Sequence, residues 1–291
     1  MDVGFIGAGR MGRVMIANLV RAGHRVRAFD AAPEAVAAAV EAGAQAASSA
    51  ADAFGGDAVI SMLPNDKAMR AVFGPGGILP EGGSATVHIN MATASVDCAT
   101  DLTAFHAERG VAYVAAPVFG RPEMAAERQL NIMAAGDDAA IARVQPLFDA
   151  MGKKTWRLGP DPRQANVAKI AGNLMVACML EAMGEASVLA KAYGLEPQTV
   201  LDTVVGSLFD VPIYRIYSKF IGAQEFEPPG FDMRLGFKDA KLALDAGEAV
   251  NAALPFASAL RDIYLEALAH GGEGKDWSGL TAVGLRRAAL D

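Results

Sequence analysis

A strand, a glycine turn, a helix and a second strand ending in an acid fill the first thirty residues, MDVGFIGAGRMGRVMIANLVRAGHRVRAFD. Val3, Phe5 and Ile6 make a short apolar run that suits a buried strand. Gly7, Gly9 and Gly12 follow in the spacing G-x-G-x-x-G, with Arg10 and Met11 inside it. The first glycine of such a turn permits a sharp bend, the second lets a pyrophosphate reach the backbone, and the third lets helix pack on strand. Val14, Ala17, Asn18 and Arg21 continue at helical spacing until Ala22-Gly23, and Val26, Ala28 and Phe29 supply the second strand. Asp30 stands 18 residues beyond Gly12, the distance of a ribose-binding carboxylate. Three glycines alone are compatible with an ordinary tight turn. With the strand before, the helix after and the acid in place, they select a dinucleotide site.

The rest of the chain has to be compatible with that domain. Its 291 residues allow one large domain or two of ordinary size. A hydrophobic share of 52% with 20% charged residues fits a well-packed globular protein and excludes a disordered one. A net charge of −7 with dispersed basic residues gives no footprint for a nucleic acid. The strand next to Met1 leaves no room for a signal peptide, and the most apolar helical region is interrupted by Asn173, Glu181 and Glu185. The expectation is therefore a cytoplasmic protein with a small-molecule substrate and neither a membrane nor a nucleic-acid partner. Cys98 and Cys178 lack the spacing of a metal or redox pair and read as small buried apolar residues, so no metal site is expected.

Strand-like and helix-like segments alternate from residue 33 to 158. Helices are expected over Pro33–Ala42, in a short segment from the turn Leu63-Pro64-Asn65-Asp66 through Phe73, and over Val96–Arg109 and Ala139–Met151. Strands are expected over Asp57–Met62, Ala85–Asn90, Val111–Ala115, Leu130–Ala135 and Thr155–Leu158, with an irregular stretch around Pro117, Gly120 and Pro122. This alternation predicts a parallel, doubly wound sheet. After Gly159-Pro160-Asp161-Pro162 the composition turns to alanine, leucine and methionine. Ala165–Tyr193 reads as one helix of about 40 Å, and Pro197, Pro212, Pro228-Pro229 and Pro255 divide the remainder of the chain into further helices. The expected fold is an α/β Rossmann domain over residues 1–160 followed by an all-α domain over 161–291.

Seven stretches in this order, GFIGAGRMG, SMLPND, INMAT, APVFGRP, AKIAGN, FKDAKLAL and GKDWSGL, resemble the β-hydroxyacid dehydrogenase family. That family includes 3-hydroxyisobutyrate dehydrogenase, tartronate semialdehyde reductase and 6-phosphogluconate dehydrogenase, and the resemblance runs over essentially the whole chain. It implies hydride transfer between a nicotinamide and a small β-hydroxy acid or its semialdehyde. It places the catalytic lysine at Lys169 and a substrate-orienting amide at Asn173, which share a helix face at i and i+4. Without the resemblance, a lone lysine on an apolar helix reads as a snorkelling surface residue. Alcohol oxidation needs a base for the hydroxyl proton, and carbonyl reduction needs the same group as an acid. Burial and a nearby helix amino terminus push a lysine pKa downward, which suits the two-way role. The resemblance further implies cofactor contacts from Leu63 and Pro64, from Thr93, and from Lys238 of the Lys238-Asp239 pair. Read from the residues alone, these are turn, cap and solvated-face residues.

The departures from the family pattern narrow the reading. After Pro-Val the family usually has a serine and two glycines that bind the substrate carboxylate; here Phe119-Gly120-Arg121-Pro122 stands instead. Gly120 keeps a backbone contact, Phe119 brings a bulky ring, and Arg121 is either a carboxylate clamp or a solvent-facing residue. The histidine and glutamate that the 6-phosphogluconate branch places three and seven residues after the lysine are here Gly172 and Val176, against decarboxylation by that route. Asp30-Ala31-Ala32 favours NAD over NADP, since a carboxylate repels a 2′-phosphate, although Arg10 and Arg27 lie close by. Two alternatives stay open: imine reduction, which shares the architecture but generally replaces the lysine, and a non-catalytic dinucleotide-binding module. Apolar stripes on the helical half, with the resemblance, imply a homodimer or homotetramer.

Overall fold

The computed structural model describes residues 1–290, the side chain of Ala85 apart. The chain divides into two compact units, Met1–Lys169 and Ile170–Asp291. The first opens with β1 (Asp2–Ile6), α1 (Arg10–Arg21), β2 (Arg25–Phe29), α2 (Pro33–Glu41), β3 (Gln45–Ala46), α3 (Ala50–Ala53), β4 (Ala58–Ser61) and α4 (Asp66–Phe73). It continues with β5 (Ser84–Asn90), α5 (Val96–Glu108), β6 (Val111–Ala115), β7 (Val118–Phe119), α6 (Pro122–Ala126), β8 (Leu130–Gly136), α7 (Asp138–Met151) and β9 (Gly152–Gly159). One sheet runs β3-β2-β1-β4-β5-β6-β8-β7, with β9 added on β8. Strands β1 to β6 are parallel, and the strand order reverses between β1 and β4. In such sheets a ligand binds outside the carboxyl ends of the strands at this reversal.

Both faces of the sheet are covered, which explains why its strands are near-continuous apolar runs. Phe5, Ile60 and Ile89 pack with Met15, Ile16 and Leu19 of α1 and with Ile141, Val144 and Phe148 of α7. Their neighbours Ile6 and Val59 point the other way, onto Met69 and Phe73 of α4 and Cys98 and Leu102 of α5. The period-two alternation of strand side chains thus serves two apolar layers.

The sheet is not wholly parallel: β8 runs antiparallel to both β6 and β7. A parallel return from β6 needs a helical crossover lying on the sheet face. Pro117, Gly120 and Pro122 interrupt that stretch, which forms only the two-residue β7 and the short α6 instead of an irregular loop. β3 and α3, of two and four residues, are likewise additions to the sequence-based expectation.

The second unit is helical. It holds α8 (Arg163–Ala192) from Ile170 onward, then α9 (Pro197–Leu208), α10 (Pro212–Ala223), α11 (Met233–Glu248), α12 (Pro255–Ala269), a 3-10 turn (Trp277–Thr281) and α13 (Ala282–Arg287). Pro197, Pro212 and Pro255 open α9, α10 and α12, where the missing N–H of proline costs no helical hydrogen bond. The division between units falls inside α8, not at the Gly159–Pro162 turn. Ala165 and Ala168 at the start of this helix pack into the apolar core of the first unit. Leu180, Met183, Leu201, Tyr217, Met233, Tyr264, Trp277 and Leu280 form the core of the second.

By length and composition α8 could also cross a membrane. Its Ala165, Ile170, Ala177, Leu180 and Ala190 are buried in the protein's own interior. The GKDWSGL tail has a structural task. Buried Asp276 accepts from the Gly230 and Phe231 N–H groups at 3.0 and 2.9 Å and from the Ser278 hydroxyl at 2.7 Å, and the Trp277 indole donates to the Tyr217 hydroxyl at 2.7 Å.

Candidate active site

The carboxyl ends of β1, β2, β4 and β5 carry the residues expected to meet a dinucleotide. Gly7 leaves β1 at φ +101°, its N–H donating to Phe29 O at 2.9 Å, and an added Cβ would lie 2.4 Å from Met62 O. A Cβ at Gly12 would lie 1.9 Å from Gly7 O, so helix and turn touch there. Gly9 is different: it has ordinary extended dihedrals, and an added Cβ meets no atom within 4 Å. The fold requires Gly7 and Gly12 but places no demand on Gly9, whose bare face leaves room for a ligand.

Helix α1 begins on Gly9 with no side-chain cap and no acid in its first turn, whereas Asn65, Ser95 and Asp137 cap α4, α5 and α7 with their own side chains. An uncapped amino terminus keeps its amide donors and positive dipole end for an anion such as a pyrophosphate. Arg10 is exposed at the first helical position, and Met11 is half-buried against the core.

Asp30 is fixed by the backbone. One carboxylate oxygen accepts from the Ala8 N–H at 2.7 Å, inside the glycine turn, and the other from the Ala32 N–H at 2.9 Å. A carboxylate offers about four acceptor directions, so two remain for the hydroxyls of a ribose. Arg27, one of the two cations near this place in sequence, faces Asp52 at 3.6 Å. Leu63 is half-buried and Pro64 exposed in the turn after β4, beside Gly7; Thr93 is half-buried in the turn after β5. The open cradle at Gly9, the uncapped helix and the oriented Asp30 together fit a dinucleotide.

Within the same unit, the Nζ of half-buried Lys169 lies 4.3 Å from the centre of the Phe119 ring. Two residues far apart in the chain are thereby brought into one cation–π contact. Gly120 follows Phe119 at the end of β7, and half-buried Arg121 occupies the N-cap position of α6. Asn166, one helical turn before Lys169, was not singled out by sequence reasoning. It is 1% exposed, and neither atom of its amide has a hydrogen-bond partner among the described residues. The available signal was an amide in the first turn of an otherwise apolar helix face.

In the second unit, buried Asn173 donates from Nδ2 to Asp239 Oδ2 at 2.6 Å. Lys238 Nζ stands 3.3 Å from Asp239 Oδ1, an ion-pair distance without the alignment of a hydrogen bond. Asp239 is thus the hinge between Asn173 and Lys238. Its link to Asn173, 66 residues away, leaves no trace in the sequence.

The chain is similar to known proteins over most of its length. Residues 2–159 match the family described as the NAD binding domain of 6-phosphogluconate dehydrogenase. Residues 164–283 match the one described as NAD-binding of NADP-dependent 3-hydroxyisobutyrate dehydrogenase. The chain is 34% identical over 286 residues to 2-(hydroxymethyl)glutarate dehydrogenase of Eubacterium barkeri, covering 97% of this chain and 94% of that one. It is 34% identical over 285 residues to the NAD-dependent L-serine dehydrogenase of Pseudomonas aeruginosa, covering 95% of each. The solved structure of Mycobacterium tuberculosis 3-hydroxyisobutyrate dehydrogenase with L-serine matches with a TM-score of 0.88 and 32% identity, over 97% of this chain and 98% of that one.

Proposed function

The chain belongs to the β-hydroxyacid dehydrogenase family and is an NAD(P)-dependent dehydrogenase; we propose that it uses NAD, acts on small 3-hydroxy acids or their semialdehydes, and employs Lys169 as general acid–base. The observation that carries this reading is Lys169 itself, half-buried in the second turn of α8 against Phe119. The nicotinamide supplies or accepts the hydride when the dinucleotide is bound. Lys169 takes the hydroxyl proton of the substrate in oxidation and returns a proton to the carbonyl oxygen in reduction. Asn173, its amide oriented by Asp239, orients that oxygen one helical turn further along α8. The backbone of Gly120 and the planar fork of Arg121 hold the substrate carboxylate.

The substrate class follows from the relatives' names. L-serine, 2-(hydroxymethyl)glutarate and 3-hydroxyisobutyrate all carry a primary alcohol on the carbon next to the one bearing the carboxylate. They differ in the group on that middle carbon. The bulky Phe119 beside Lys169 supports a restricted space for this group. NAD is supported by the fixed carboxylate of Asp30 and by Arg27 facing Asp52.

A panel of 3-hydroxy acids and semialdehydes, read by nicotinamide absorbance with NADH and NADPH, tests the substrate and cofactor assignments. A better kcat/KM with NADPH overturns the cofactor assignment. Lys169→Ala should abolish turnover while leaving NADH binding nearly intact; full activity in that variant refutes the mechanism. A homodimer or homotetramer is part of the same proposal. Met175 and Leu189 of α8 and Tyr193 just beyond its end are 73%, 61% and 81% exposed, an apolar stripe suited to a second copy. Sedimentation as a monomer at micromolar concentration rejects it.

A further inference from the structure

A chain of buried polar side chains runs beneath the two cofactor turns, between the sheet and helices α4 and α5. Ser61 ends β4, His88 and Asn90 lie on β5, and His106 lies on α5; all four are 0–1% exposed. Ser61 Oγ is 2.8 Å from His88 Nε2, His88 Nδ1 is 2.7 Å from His106 Nε2, and His106 Nδ1 is 2.6 Å from Leu102 O. Phe73 of α4 stacks on the His88 ring, with centroids 3.7 Å apart.

The last acceptor fixes every proton in this chain. A carbonyl oxygen can only accept, so His106 carries its proton on Nδ1 and presents Nε2 as an acceptor. His88 must then donate from Nδ1 and accept at Nε2, and the Ser61 hydroxyl must donate to it. Burial pushes both imidazoles below their usual pKa, His106 to about 4, which keeps them neutral. The chain ends on a backbone carbonyl inside the protein, so it does not conduct protons to solvent. Its capacity is to hold its members in place.

What it holds are the strand ends. Ser61 is paired with Asn90 in the β4–β5 register. Ser61 precedes Met62, whose carbonyl limits the space at Gly7, and the Met91 N–H donates to Ser61 O at 2.9 Å. The Asn90 side chain accepts from the Ala92 N–H at 3.1 Å and donates to the Tyr113 hydroxyl at 3.1 Å. Above it, the Ser95 N–H donates to Asp66 Oδ1 at 3.1 Å and joins the starts of α4 and α5. From this connectivity we infer that Ser61, His88 and His106 form a positioning relay that sets the spacing of the turns Leu63–Pro64 and Met91–Thr93, and with it the affinity for the dinucleotide. The inference rests on the proposed dinucleotide site and on those turns lining it, as the family resemblance implies for Leu63, Pro64 and Thr93.

The test is a fluorescence titration of NADH with the full-length protein, together with kcat and KM for NADH. His88→Leu leaves the His106 Nε2 buried without its partner and the Ser61 hydroxyl with only Asn90 Oδ1, at 3.4 Å. It should raise the NADH Kd and KM by about five- to thirtyfold, while kcat at saturating NADH stays within about threefold. His106→Gln preserves an acceptor toward His88 and a donor toward Leu102 and should keep Kd near that of the wild type, whereas His106→Leu should not. An unchanged Kd in folded His88→Leu, or equal losses in the Gln and Leu variants at 106, overturns the relay. Where His88→Leu fails to fold, Ser61→Ala decides: a severalfold rise in Kd supports the relay and none refutes it. Wild-type protein that binds no NADH refutes the cofactor reading and the relay together, while wild-type binding with unaffected variants refutes the relay alone.

Discussion

The Phe119 ring covers one side of the Lys169 ammonium at 4.3 Å, and under the proposed mechanism a substrate reaches the lysine past this aromatic wall. Replacing that ring with a small side chain enlarges the space beside the reacting carbon. Phe119→Ser should raise kcat/KM for 3-hydroxy acids with a larger group at the middle carbon, by about tenfold or more per methylene accommodated. Rates across serine, 3-hydroxyisobutyrate and longer homologues provide the measurement; an unchanged preference would place Phe119 away from the substrate.

Asp30 has two tasks on the proposed reading, the ribose contact and the hold on the glycine turn that its bond from the Ala8 N–H provides. Asp30→Asn removes the charge and puts an amide donor where Ala8 N–H or Ala32 N–H needs an acceptor. Charge-assisted bonds of this kind are worth about 1.5–3 kcal/mol each. The KM for NADH should rise by at least about tenfold without a matching gain for NADPH. A variant that simply exchanges NADH for NADPH at full rate contradicts the second task.

Gly9→Ala separates folding from ligand binding. The methyl group meets no atom within 4 Å and the backbone is already in an ordinary conformation, so the melting temperature should stay within about 2 °C. NADH affinity should fall by an order of magnitude or more, since on the proposed reading the methyl occupies the path of the pyrophosphate. A clear loss of stability contradicts the first half, retained affinity the second.

The buried imidazoles make stability depend on acid. His106 is held neutral by burial, with a pKa near 4 against 6.5 in the unfolded chain, and His88 is displaced in the same direction. The unfolded state therefore binds more protons between pH 4 and 6.5. The contribution is complete above 6.5 and is lost as pH falls toward 4, about 3 kcal/mol for His106 alone. Urea melts at pH 7 and pH 5 should show a smaller acid loss for His106→Gln than for wild type; parallel losses refute the assignment.

Glu181 works in the opposite sense. Burial, with a smaller contribution from Glu185, raises its carboxyl to about 7, and Oε2 is buried without a hydrogen-bond partner among the described residues. The folded state holds this proton more tightly, so stability falls as pH rises from 4.5 to 7. Glu181→Gln should stabilise the protein at pH 8 by on the order of 2 kcal/mol and change little at pH 4.5. Equal effects at both pH values would point to packing instead of ionisation.

Local pattern made much of this legible. The turn from Gly7 to Gly12, the acid at Asp30 and the alternation beyond it read directly as a Rossmann half, because each depends on neighbours within one β-α-β unit. Lys169 and Asn173 were singled out by the family resemblance alone, and their shared helix face by period. The reversal of β8 was not, since the strand pattern of Leu130–Gly136 is the same in either direction and only the shortness of α6 decides. The partnership of Asp239 with Asn173 and the Ser61–His88–His106 chain depend on side chains from distant elements meeting in the interior. A histidine in a strand looks the same before that meeting occurs.

The clearance around Gly9 also has an evolutionary edge. A fold that makes no demand on this residue has no means of defending it. Drift at Gly7 or Gly12 would be removed by misfolding, but drift at Gly9 would pass unnoticed wherever the reaction itself was dispensable. On the proposed reading of Gly9, a stable chain that no longer holds its nucleotide lies one substitution away.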